Sequence, residues 1–260
     1  MSAAPANSGS TKGGQGNGGA GKTPEVVLEL SGIESGYGEV QVLWGISLKA
    51  RAGQLTTLIG ANGAGKSTTL RTTMGSVRPW RGRVLLNGQD VTRLSPHAKA
   101  ARGLALVPEG RQLFPDMTVL ENLEMGAYSR RARGRQKENL DRVYQAFPRL
   151  QERAKQKAST LSGGEQQMVA MGRGLMQEPV VLMIDELSLG LAPVLAQQLF
   201  LTLKTLKQQG ITIILVEQNV HLALAVSDYT YVFAEGRIPI EGKSEEVARM
   251  DEVRRAYLGL

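Results

Sequence analysis

Apolar residues in this chain fall into short unbroken blocks, separated by stretches in which they recur every three or four positions. The blocks predict strands and the recurring stretches predict helices. Val26, Val27, Leu28 and Leu30 form a first strand, and Val40 to Leu48 a second β-rich stretch. Leu55 to Ile59 is a short apolar strand that runs straight into GANGAGKST, Gly60 to Thr68. Helix-competent sequence continues from Ser67 to about Met74. Val84 to Leu86, ending at Asn87-Gly88, reads as a hairpin edge, and Leu104 to Val107 as a buried strand stopped by Pro108. Val119, Leu120 and Leu123, then Leu140, Val143, Tyr144 and Phe147, keep helical spacing and predict a helical insertion over residues 116–158. Ser162-Gly163-Gly164 opens a helix to about Met176, and Val180 to Ile184 is a strand that delivers Asp185-Glu186. A helix from about Val194 to Gln208, a strand from Ile211 to Val216 and a late strand from Tyr229 to Phe233, turning at Glu235-Gly236, complete the pattern. Strands alternating with helices predict an α/β fold on a parallel sheet. Short apolar strands fit a sheet covered on both faces. No segment repeats.

Composition narrows the chemistry. Residues 1–23 are mostly glycine, serine, alanine and asparagine, and read as a disordered tail. The 260-residue chain is 42% hydrophobic and 21% charged, a globular balance. Apolar runs such as Val180 to Ile184 fall far short of the ~18 residues of a membrane span. No apolar stretch follows Met1, so no secretory signal is expected and the cytosol is the expected compartment. Cysteine is absent, which excludes disulfides, thiolate metal sites and cysteine nucleophiles. His97 and His221 are the two histidines, too few for a multi-histidine metal site. His97, after Ser95-Pro96, reads as a helix N-terminal residue, and His221 as a helix-surface or packing residue. A net charge of +7 favours anionic partners without choosing among nucleotide, nucleic acid and membrane surface. Arg130, Arg131, Arg133, Arg135 and Lys137 in the helical insertion read either as a solvated face or as a contact with anionic lipid.

Three constellations carry chemistry. Gly60-x-x-x-x-Gly65-Lys66-Ser67 follows an apolar strand and opens a helix, the setting a phosphate loop requires. Gly63 and Gly65 let backbone N–H groups turn toward an anion, and the helix N-terminus adds partial positive charge. In that role Lys66 reaches the β- and γ-phosphates and the Ser67 hydroxyl is a Mg²⁺ ligand. Asp185 and Glu186 stand at the C-terminal end of a buried strand, where ligands sit in open α/β sheets. Asp185 would hold Mg²⁺ through water, and Glu186 would polarise an attacking water. Ser162 with two glycines at a helix start reads as an anion site or as an ordinary N-cap.

The heptamer LSGGEQQ, Leu161 to Gln167, resembles the signature of the ATP-binding cassette family. With GANGAGKST and LMIDE, the resemblance spans about Val26 to Leu258. It implies a phosphate-loop, RecA-like ATPase core with an antiparallel β edge, over residues 24–242. A helical subdomain would be inserted at about 111–165, and residues 243–260 would form a C-terminal helical extension. ATP would touch Tyr37 (stacking on adenine), Gly60, Asn62, Gly63, Ala64, Gly65, Lys66, Ser67, Thr68 and Glu109. Mg²⁺ would be held by Ser67, Asp185 and Glu109. Glu186, Lys66 and Gln218 would be catalytic. Leu161, Ser162, Gly163, Gly164, Glu165 and Gln166 would face the ATP of a second ATPase subunit.

Four positions depart from the general family pattern. Glu109 replaces a usual Gln, Gln218 a usual His, Leu187 a usual Pro and Ala192 a usual Asp. Glu109, Gln218 and SLGLAP (Ser188 to Pro193) resemble the F-type ATP-binding subunit of Liv branched-chain amino-acid importers, as do VPEGR, TVLENL and VEQNVHLAL. That subfamily implies two membrane permease subunits, a substrate-binding protein acting through them, and a place on the cytoplasmic face of the inner membrane. The subunit of a urea or lipopolysaccharide transporter, and an ATPase acting on nucleic acid, are the alternatives. Gln218 donates a neutral hydrogen bond and moves no proton. Hydrolysis at this chain's own half-site is therefore expected to be slower than at a partner's, which favours a heterodimer. Leu187 has no account at the level of sequence.

Overall fold

The computed structural model describes residues 1–2, 24–253 and 255–256. The tail read over residues 1–23 thus lies, apart from its first two residues, outside the described part, as does the very end of the C-terminal extension. Among the described residues, ten strands and eleven α-helices follow one another. The strands are β1 (Val26–Tyr37), β2 (Val40–Arg51), β3 (Leu55–Gly60), β4 (Arg81–Leu86), β5 (Gln89–Asp90), β6 (Leu104–Val107), β7 (Val181–Asp185), β8 (Thr212–Val216), β9 (Tyr229–Ala234) and β10 (Arg237–Lys243). The helices are α1 (Lys66–Met74), α2 (Pro96–Ala101), α3 (Val119–Gly126), α4 (Arg130–Arg133), α5 (Gln136–Ala146), α6 (Pro148–Glu152), α7 (Gly163–Leu175), α8 (Pro193–Gln208), α9 (Val220–Val226), α10 (Ser244–Val247) and α11 (Asp251–Val253).

The strands build two sheets, a six-stranded one ordered β10-β9-β3-β8-β7-β6 and a four-stranded one ordered β2-β1-β4-β5. In the larger sheet β9, β3, β8, β7 and β6 are parallel and β10 is an antiparallel edge. Side chains on its central strands alternate between two apolar clusters. Leu182 and Ile184 of β7, with Ile213 and Leu215 of β8, join the cluster under α7 and α8. Val181 and Met183, with Ile214 and Val216, join the cluster on the opposite face, together with Leu70 of α1 and the smaller sheet. Burial on both faces explains why these strands carry no polar alternation. Each fully buried Leu, Ile or Val contributes roughly 1.5–3 kcal/mol.

Turn chemistry fixes two hairpins. Asn87-Gly88 joins β4 to β5 and Glu235-Gly236 joins β9 to β10, with positive φ at both central residues of each turn. That geometry matches the twist of antiparallel strands. Strand β10 escapes the pattern reading because its exposure alternates and little of it is apolar.

The insertion is a string of short helices, α3 to α6, with a 3-10 turn at Ala158–Thr160. Thr118 and Glu121 form a capping box at the start of α3. Val119, Leu123, Ala132, Val143, Phe147 and Leu150 are buried in the same cluster as β7 and β8, so the insertion shares the main core. All five residues of the basic run are exposed, as a solvated face requires, and some of them are also paired. Arg131 and Arg135 both pair with Glu178, just before β7, and Arg133 lies over the Tyr128 ring at 5.4 Å.

Candidate active site

Four neighbouring parallel strands bring their C-terminal ends together. The phosphate loop follows β3, Glu109 follows β6, Glu186 follows β7 and Gln218 follows β8. A cavity of about 420 Å³ opens there, lined by residues 62–68 together with Val42, Glu109, Glu186 and Gln218. The loop turns on glycine. Gly60, Gly63 and Gly65 have φ of 148°, 78° and 102°. A Cβ on Gly60 would lie 2.3 Å from the Phe233 carbonyl oxygen.

Helix α1 is KSTTLRTTM, a poor helix sequence that packing holds in place. It lies between the two sheets, in contact with β1, β2, β3, β6 and β7. Its buried hydroxyls are satisfied: Thr69 and Thr73 donate to carbonyls one turn back, and Thr72 pairs with Ser35. The N-terminus of α1 is thereby fixed at the floor of the cavity.

Lys66 is buried, and its ammonium donates to the Gly60 carbonyl at 2.7 Å and the Ala61 carbonyl at 3.0 Å. Burial pulls its pKa below the usual lysine value, against the opposing pull of Glu186, Asp185 and Glu217. Ser67 Oγ donates to Asp185 Oδ1 at 2.8 Å. Burial pushes Asp185 above the ordinary carboxylate range, and the Ser67 bond partly offsets this. Burial likewise raises Glu186, while the Gln218 side chain favours its ionised form. Glu186 has φ 57°, left-handed for a residue with a Cβ, and its amide donates to Val216 O at 3.0 Å. Gly110, Arg111 and Gln112 after Glu109 are also left-handed, a run of strained backbone beside the cavity.

The hydroxyl of Ser67 and the carboxylate of Asp185 are hard oxygen donors in contact. They fit a Mg²⁺ ion completed by phosphate oxygens and water. Among the described residues no group of three or more His, Cys, Asp or Glu could hold a metal alone. The donor set thus suits a metal that arrives with its nucleotide.

Other residues singled out in the sequence lie elsewhere. Tyr37 ends β1 half-exposed, and its hydroxyl accepts from Arg71 at 3.3 Å. The signature residues do not line the cavity. Ser162 is the N-cap of α7, in a capping box with Glu165, whose carboxylate also meets Arg153. Gly163 and Gly164 form the first turn of α7, Leu161 is buried, and Gln166 accepts from Arg111 at 3.0 Å. Leu187 is fully buried in the core under α8, which supplies the missing account of its side chain. Ala192 is exposed at the N-cap of α8. Glu217, within VEQN, carries no functional signal in the sequence. It is fully buried beside Gln218, and the spacing of the motif gives no sign of its partners.

A family model described as ABC transporter matches residues 43–188, over half of the chain. This chain belongs to the ABC transporter family. It carries the family's ATP-binding, ATP-hydrolysing cassette. The cassette is 42% identical over 233 residues to the high-affinity branched-chain amino acid transport ATP-binding protein BraG of Pseudomonas aeruginosa, covering 90% of this chain and all of that one. It is 36% identical to the probable branched-chain amino acid transport ATP-binding protein LivF of Archaeoglobus fulgidus, over 90% of this chain and 99% of the relative. The lipopolysaccharide export ATP-binding protein LptB of Haemophilus influenzae is more distant, at 28% over 90% of this chain and 97% of its own length. Among solved structures, the ADP conformation of an ABC transporter cassette matches with a TM-score of 0.80 and 30% identity, over 91% of this chain and all of that one. No helix among the described residues is long and apolar enough to cross a membrane.

Proposed function

We propose that this cassette hydrolyses ATP to drive an importer of branched-chain amino acids from the cytoplasmic face of the membrane. The observation that carries the reading is the convergence of phosphate loop, Glu186 and Gln218 on one cavity, in a chain 42% identical to BraG along BraG's whole length. Backbone N–H groups of the loop and the end of α1 receive the phosphates. Lys66 leaves its two carbonyl partners for the β- and γ-phosphate oxygens. Mg²⁺ held by Ser67 and Asp185, with Glu109 nearby, would supply neutralising charge. Glu186 orients the attacking water and takes up its proton. A bond forms from the water oxygen to the γ-phosphorus as the bond to the β–γ bridging oxygen breaks, and ADP leaves with that electron pair. Gln218, next to Glu186, donates a neutral hydrogen bond to the γ-phosphate. Leu161 to Gln166 lie outside this cavity and complete a second ATPase subunit's site. Tyr37 meets adenine at the rim.

The membrane subunits dock in a second groove, of about 500 Å³, lined by His97, Gln112, Phe114, Met125, Tyr128 and Arg173 among others. Phe114, Met125 and Tyr128 are exposed there. The groove shares the strained segment after Glu109, so a force on Phe114 reaches the cavity through a few residues. The test is to purify the cassette with its native membrane partners, reconstitute them, and follow ATPase activity as leucine and its binding protein are added. Stimulation, with crosslinks from position 128 to a permease subunit, is the expected result. Stimulation by another substrate class, or crosslinks confined to the opposite face, would refute the reading.

A further inference from the structure

Glu217 directly follows β8 and is fully buried. Its Oε1 accepts the Ser188 amide at 2.7 Å, and its Oε2 accepts the Ser188 hydroxyl at 2.9 Å. The same Oε2 accepts the amides of Gln218 at 3.1 Å and Asn219 at 3.2 Å. Donors from two loops thus converge on one carboxylate, and bonds to an ionised acceptor are the strong kind. Burial pushes Glu217 above the ordinary carboxylate range, and these donors oppose that push.

The two loops are those that carry Glu186 and Gln218. Glu186 holds a left-handed backbone, which costs roughly 1–2 kcal/mol for a residue with a Cβ. Such a conformation persists only where its surroundings over-determine it. Its own amide is tied to Val216 O at 3.0 Å. The Ser188 bonds to Glu217 tie down the other end of the turn. A buried charge is a poor device for stability alone, since an apolar side chain of similar size serves as well or better. What an apolar side chain cannot do is accept hydrogen bonds from both loops at once.

We infer that Glu217 is a positioning residue for hydrolysis: one buried carboxylate sets the spacing between Glu186 and Gln218 by holding both of their loops. This rests on the roles proposed for those two side chains. Phosphate binding belongs to the loop after β3. Glu217 meets that strand through its amide, which donates to Leu58 O at 3.3 Å and survives a side-chain change, and its pull on Lys66 ranks behind those of Glu186 and Asp185. The effect therefore falls on turnover more than on nucleotide capture.

Glu217→Gln on the full chain is the test. Glutamine keeps the size, but its Nε2 faces an amide N–H whichever way the side-chain amide is turned. The expected result is a kcat lowered about 10- to 100-fold with a KM for ATP within about twofold of the parent and ATP binding retained. Ser188→Ala removes one donor and should lower kcat about 3- to 10-fold. In the double variant the loss should be smaller than the product of the two, because both act on one contact. Should Glu217→Gln fail to fold, Ser188→Ala decides alone. A kcat within twofold of the parent overturns the inference. So does a parallel loss of kcat, ATP binding and melting temperature, which marks the residue as structural. Glu186→Gln serves as the control for the underlying assignment. If it turns over like the parent, the roles of the site fail; if it is inactive and Glu217→Gln is normal, only the positioning role fails.

Discussion

Gln218 lines the cavity together with Glu109 and Glu186, so two of the four departures from the family pattern face the same cavity. A glutamine offers only neutral amide donors there, and a histidine in its charged form offers a stronger one. Gln218→His is therefore expected to raise turnover of the isolated chain, by an amount worth on the order of 1 kcal/mol. Steady-state ATPase rates at saturating ATP check this; a clear fall contradicts the view of this half-site as the weaker catalyst. At this scale much of the site was legible in the sequence. Lys66, Ser67, Asp185 and Glu186 each sit where a strand ends in a recognisable pattern. Glu217 was not legible, because its partner Ser188 lies 29 residues away and only the pairing of β7 with β8 brings them together.

Helix α1 has one charge inside the fold at its C-terminal end. Lys99 of α2 is fully buried and donates to the Thr73 carbonyl at 2.8 Å. Its ammonium meets the negative end of the helix that offers its positive end to phosphate. Burial pulls the Lys99 pKa down from 10.5 to about 8, with a weaker opposing pull from Asp90. The folded chain thus releases this proton near pH 8 and the unfolded chain near 10.5. Between those values the unfolded state binds more protons, so Lys99 makes stability rise with pH. Below that window both states are protonated and the slope vanishes. Lys99→Met should flatten this rise: urea unfolding at pH 8 and pH 10 should show the parent gaining on the variant, by about 2 kcal/mol. Parallel behaviour of the two would contradict the burial of a charged lysine. The helix itself was legible from the phosphate loop, not from its weak periodicity. The helical insertion was legible as helical, but its division into short pieces was not. Nor was the pairing of Arg131 and Arg135 with Glu178, since a basic run looks the same whether solvated or tied down.

Across the whole molecule, the parallel sheet collects the phosphate loop, Glu109, Glu186 and Gln218 at one edge, while Ser162 is exposed at the start of α7, outside that cavity. On the proposed function, the cavity and the start of α7 are two half-sites, each completed by a second ATPase. The alternation of strand and helix made the sheet legible, and the apolar strands made its burial legible. The groove at Phe114 and Tyr128 was not legible in any one stretch of sequence, because its walls come from α2, α3 and α7, far apart in sequence.

The central claim is that Glu186 acts on the water attacking ATP and not on ATP itself, and its most direct test is turnover by Glu186→Gln at saturating ATP. Positioned general bases contribute about 10²- to 10⁴-fold to rate, so the account predicts a loss of that size with ATP still bound. Turnover equal to the parent's, or loss of ATP binding along with it, would contradict the account.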